Sequence, residues 1–176
     1  MASRAWRSAG WLLCALLLCA RPLAAQPPVQ AALLANRAYG GELINRIQHS
    51  KRRILCAFYL FKVTEKRGNQ PAAVAAELIR ARARGVEVTV ILEGGKTVWQ
   101  ANRQTAALLL RGGVKVLFPS RHAVTHAKVA VIDDRWLLIG SHNLTQSALL
   151  HNNELSVLLD SPELALQTKR YLENLR

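Results

Sequence analysis

Between residues 53 and 159 the chain alternates short apolar runs with longer stretches of helical spacing, and glycine or proline marks most of the changeovers. This alternation constrains the fold more than any other feature, because strands interleaved with helices bury their apolar residues by packing helices over a sheet. The runs 53–61, 86–92, 114–118, 126–131, 136–139 and 154–159 read as strands. Helical spacing appears over 41–49, through Leu43, Ile44 and Ile47, and again over 97–111 before Gly112 and Gly113. Pro71 and Gly85 bracket a further helix, and Ser161 with Pro162 opens a last one that runs through Leu175. Ahead of residue 41 lies a polar arm, while 62–70 and 120–125 read as polar loops. The expected fold is α/β, a single domain with a mixed sheet and helices on both faces.

The segment 126–154 carries the chemistry. His126 and Lys128 are one residue apart in an alternating run, so a strand aims both at one face while Ala127 and Val129 turn to the core. Asp133-Asp134-Arg135 breaks the run as a tight turn, and Gly140-Ser141-His142-Asn143 closes the next strand. A neutral imidazole can attack phosphorus, and an imidazolium can protonate a leaving oxygen. Lys128 supplies fixed positive charge for non-bridging oxygens, and Ser141 and Asn143 supply neutral donors beside the small Gly140. Glu154 can accept from the second imidazole nitrogen and so hold the ring. Asp133 lies an odd number of positions after His126, which assigns it to the turn rather than to the reaction.

With no gaps, His126-x-Lys128-x4-Asp133-x6-Gly140-Ser141-x-Asn143 resembles the HKD signature of the phospholipase D superfamily. The strand-helix alternation before it is similar to the small bacterial secreted endonucleases of that superfamily. The resemblance implies a metal-independent phosphodiesterase that needs no cofactor and works through a phosphohistidine. Relatives with one motif per chain pair as homodimers, each site taking a histidine from both subunits, and this chain has one motif.

Residues 1–25 read as a secretory signal peptide, with Arg4 and Arg7 before an apolar run and Leu23-Ala24-Ala25 at the cleavage point. The expected location is therefore secreted or periplasmic, and 26–176 forms the catalytic domain; an N-terminal membrane anchor, as in mitochondrial relatives, is the alternative. Cys14 and Cys19 leave with the leader, so Cys56 remains as a small buried hydrophobe, and a zinc site has no support. The whole chain has 24 Lys+Arg against 11 Asp+Glu. Loss of Arg4, Arg7 and Arg21 leaves 21 against 11, a net charge of +10.

That excess points to a polyanion, nucleic acid ahead of an anionic phospholipid surface, contacted mainly through its phosphates. Lys62, Lys66, Arg67, Lys96 and His122 are the candidate substrate contacts in loops, whereas His142, in the variable position between Ser141 and Asn143, reads as incidental. The favoured function is a non-specific endonuclease for DNA or RNA. A phospholipase D acting on headgroups and a catalytically idle nucleic-acid-binding module are the alternatives.

Overall fold

The computed structural model describes residues 29–119 and 123–175. The proposed leader and His122 lie outside them. Seven strands form one mixed sheet in the order β1-β7-β6-β5-β2-β3-β4. In chain order they are β1 (Gln30–Ala35), β2 (Arg53–Phe58), β3 (Glu87–Leu92), β4 (Lys115–Leu117), β5 (Lys128–Ile132), β6 (Trp136–Gly140) and β7 (Leu155–Asp160). β2, β3 and β4 are parallel through the crossover helices α2 (Gln70–Ala83) and α3 (Trp99–Arg111), and the remaining pairs are antiparallel. The other helices are α1 (Ala38–His49), the short α4 (Gln146–Leu150) and α5 (Pro162–Glu173).

Two apolar layers flank the sheet, which confirms the expected class. The larger packs Tyr39, Leu43 and Ile47 of α1, Val74 and Leu78 of α2 and Leu109 of α3 onto Ile54, Cys56, Phe58, Val90, Ala130 and Leu138. The smaller packs Ala165 and Leu172 of α5 onto Leu55, Ala57, Ile91, Val129, Val131 and Leu137. The central strand β5 is therefore buried at every position, as the small and β-branched residues that follow Lys128 permit. Cys56 lies in the larger layer as a free thiol, pushed up to about 12 by burial.

The helix starts follow the local chemistry. Asn69 caps α2 by accepting from the Ala72 amide at 3.0 Å, and Ser161 caps α5 by accepting from the Leu164 amide at 3.2 Å. Three boundaries differ from expectation. The arm ahead of residue 41 holds β1 and the first turn of α1. β2 stops at Phe58, because Tyr59 leaves the ladder and Phe61 instead bridges Leu144 in parallel. α4, a single turn capped by Thr145, follows Leu144 and had no periodic signal long enough to read. No helix among the described residues is long and apolar enough to cross a membrane.

Candidate active site

Pairing places Lys128 opposite Phe58, and Phe58 opposite Leu92, so His126 lies just beyond the C-terminal ends of the parallel strands β2 and β3. Two bonds hold the chain there. The buried Glu93 carboxylate accepts the Thr125 amide at 2.6 Å, and Ala127 O accepts the Tyr59 amide at 3.0 Å. His126 is exposed, whereas Lys128 keeps 8% of its surface. Lys128 Nζ lies 3.1 Å from His126 Nε2 and donates to His126 O at 2.7 Å. In this arrangement Nε2 accepts, so a neutral ring carries its proton on Nδ1. Burial pulls the Lys128 ammonium below the usual lysine range, and the Glu154 carboxylate opposes that shift.

Tyr59 completes the wall. Its ring centroid is 4.6 Å from that of His126 and 5.2 Å from Lys128 Nζ. The run 53–61 takes Tyr59 into a strand, and its only sign of a place in the site is an aromatic residue at the end of a central run.

Gly140 ends β6 against β7, where a Cβ would overlap Ser156 Oγ and the Ser156 Cα. Close approach of two strands therefore requires this glycine. Ser141 Oγ donates to Glu154 Oε2 and accepts the Leu155 amide at 3.1 Å, and Asn152 Nδ2 donates to Glu154 Oε1 at 3.0 Å. Glu154 thus turns its carboxylate to Ser141 and Asn152, and the orienting bond to His126 expected from the sequence is not made. Asn143 is half-buried, with an Oδ1 that has no hydrogen-bond partner within the chain. The flanking Leu144 is anchored by its amide to Leu60 O at 2.9 Å and by its carbonyl to the Lys62 amide at 2.8 Å.

Asp133 sits at the far end of β5 in a left-handed turn with φ of 56°. Its carboxylate accepts the amides of Lys51, Arg52 and Arg53 at 2.9, 2.8 and 3.1 Å. Five residues of strand, about 17 Å, separate it from Lys128, so distance rather than side-chain parity removes it from the histidine. Lys62, Lys66, Arg67 and Lys96 are exposed on the loops that leave β2 and β3 at the histidine end. His142 is not incidental: it is fully buried and bonded at both ring nitrogens. Among the described residues no group of three His, Cys, Asp or Glu side chains is placed to hold a metal ion.

A mixed sheet that gathers a histidine-lysine pair, a serine and a carboxylate at one end of its strands defines the phospholipase D class of fold and site. The chain belongs to that family: the family model described as cardiolipin synthase, PLD-like domain, matches residues 43–176. Phospholipase D of Rickettsia conorii is 30% identical over 107 residues, which are 61% of this chain and 51% of that protein. Cardiolipin synthase B of Escherichia coli K12 is 36% identical over 85 residues, 47% of this chain and 20% of that protein. The chain thus spans about half or less of the length of these curated relatives. Among solved structures, the phospholipase D family member Nuc from Salmonella typhimurium superposes with a TM-score of 0.71 at 21% identity, covering 85% of this chain and 94% of that one. NucT from Helicobacter pylori gives 0.68 at 21% identity, covering 84% and 96%.

Proposed function

We propose that the protein is an exported, metal-independent phosphodiesterase that cleaves nucleic acid as a homodimer. The observation that carries the reading is the exposed His126 ring with Lys128 Nζ 3.1 Å from its Nε2 and the Glu154 charge acting on that lysine. An arriving phosphate diester competes for Lys128 Nζ with its non-bridging oxygens. As the ammonium moves onto them, the Nε2 lone pair is uncovered against phosphorus. Nε2 attacks, the phosphorus–oxygen ester bond breaks, and the partner subunit's His126 delivers a proton to the leaving oxygen. That second imidazole then takes a proton from water, whose oxygen displaces His126 from the phosphohistidine and restores both rings. Asn143 Nδ2 donates to the equatorial oxygens, Ser141 keeps its hydroxyl proton on Glu154 and so fixes that carboxylate, and Glu154 compensates positive charge on the imidazoles. The basic excess and the exposed Lys62, Lys66, Arg67 and Lys96 favour a polyanionic substrate.

The deciding experiment is cleavage of plasmid DNA and single-stranded oligonucleotides by the purified protein in excess chelator, with His126→Ala in parallel. Cleavage by the wild-type chain alone supports the reading, and activity that vanishes with chelator and returns with a divalent cation overturns it.

A second reading, hydrolysis or transfer at a phospholipid headgroup, draws on the phospholipase D and cardiolipin synthase relatives. It also draws on a cavity of about 430 Å³ beside His126, walled by Ala127, Val129, Ile139 and Tyr171. Headgroup release from vesicles, with nucleic acid left intact, would favour it.

A further inference from the structure

Asn36 lies 90 positions before His126, outside the signature and outside the residues matched by the family model. It ends β1 with φ of 51°, a left-handed conformation that asparagine tolerates better than most residues. Both backbone groups of Glu154 are paired with it: Asn36 N donates to Glu154 O at 2.9 Å, and Asn36 Oδ1 accepts the Glu154 amide at 3.0 Å. The Asn36 backbone carbonyl lies 2.9 Å from His142 Nε2.

His142 extends this clasp into the segment that carries Ser141 and Asn143. A carbonyl can only accept, so Nε2 bears the proton and Nδ1 accepts from the Ser156 hydroxyl at 2.7 Å. The ring stacks on Tyr39 with centroids 4.4 Å apart and planes 9° from parallel. Burial holds the ring below the usual histidine range, so it stays neutral and both bonds keep their direction. Four separate pieces of chain therefore meet on one pair of side chains: the β1–α1 turn, the 141–143 segment, the mouth of β7 and helix α1.

We infer that Asn36 and His142 are positioning residues of the reaction, which fix the Glu154 backbone so that its carboxylate stays on Ser141 and near the His126–Lys128 pair. The inference rests on the catalytic reading of that site. Asn36 acts through Glu154 and touches no reacting atom, while His142 holds Asn36 in place and couples it to β7.

The test is steady-state hydrolysis of bis-p-nitrophenyl phosphate by the purified protein and its variants. Asn36→Gly preserves the left-handed backbone but removes the acceptor for the Glu154 amide. It is expected to lower kcat about tenfold to a hundredfold with KM nearly unchanged, because a small misplacement of a charged group is felt in the transition state. Asn36→Asp keeps both the backbone and the acceptor and is expected to stay within about threefold of wild type. His142→Phe, which keeps a ring over Tyr39, provides a second variant with the same kcat-limited loss. In a Glu154→Ala background Asn36→Gly should cost nothing further, since the group it positions is gone.

Wild-type kcat in both Asn36→Gly and His142→Phe, beside an impaired Glu154→Ala, overturns this inference alone. So does an Asn36→Gly loss that persists undiminished in the Glu154→Ala background. A fully active Glu154→Ala beside an inactive His126→Ala likewise overturns this inference alone, whereas a wild-type protein without activity removes the catalytic reading and this inference with it.

Discussion

Lys128 is a cation kept from water by Tyr59, His126 and the end of the larger core layer, and that burial holds its pKa down. A lysine whose folded pKa lies below its unfolded value costs stability at every pH under the folded value, and the cost is relieved as pH rises through it. Lys128→Met should therefore raise the urea midpoint at neutral pH while lowering kcat by about a hundredfold to a thousandfold, the usual loss of a donor to transition-state charge. A midpoint that falls would show that the ammonium is stabilising. His142 follows the same sign in a lower pH range. Its folded pKa is depressed by burial, so the stability it contributes is complete above about pH 6.5 and is lost as pH falls below that value. Melting temperatures between about pH 7.5 and pH 5 should drop more steeply for wild type than for His142→Phe. The difference between the two curves isolates this residue from the exposed histidines, which are common to both.

At the scale of elements, the β5–β6 turn and the edge strand β1 show what sequence pattern can and cannot reach. Asp133 ties the turn to the segment before β2 through three backbone amides, at the end of β5 opposite to His126. Asp133→Ala should destabilise by about 1–2 kcal/mol in denaturant, because water can replace only part of that set at a half-buried site. Activity well below the melting temperature should be unchanged, and a kcat loss there would tie the aspartate to the reaction. Strands β2, β3, β5 and β6 were legible because both of their faces are buried and apolar runs mark them. β1 was not. In QAALLA only Leu34 is buried, alanine has no strand preference, and the strand exists because β7 offers a ladder from Asp160 to Leu155. The same blindness hid the clasp: Asn36 reaches Glu154 only through that pairing, whereas the signature spacing makes the 126–154 segment visible without any fold. Alternation along the segment turns His142 away from Ser141 and Asn143. It does turn away, but toward Asn36 and Ser156 rather than toward solvent.

At the scale of the whole molecule, one chain brings one His126 to the strand ends, and the proposed reaction uses two imidazoles in turn, one as nucleophile and one as proton donor. A two-fold pair of chains with these ends facing each other supplies both, and it also joins two strongly basic surfaces along one stretch of substrate. This arrangement has a consequence that separates it from a monomer acting alone. If a composite site needs His126 from each subunit, a dimer with one His126→Ala chain is as inactive as a dimer with two. Wild-type and His126→Ala chains, unfolded together at equal concentration and refolded, should then give about one quarter of the activity of an all-wild-type sample at the same total concentration, the share of dimers with two intact histidines. Independent monomers would give about one half, and so would dimers whose sites are each complete within one chain. Varying the wild-type fraction turns this contrast into a curve: a quadratic dependence supports the shared site, and a straight line through the origin rejects it while leaving the single-chain chemistry of His126 and Lys128 in place.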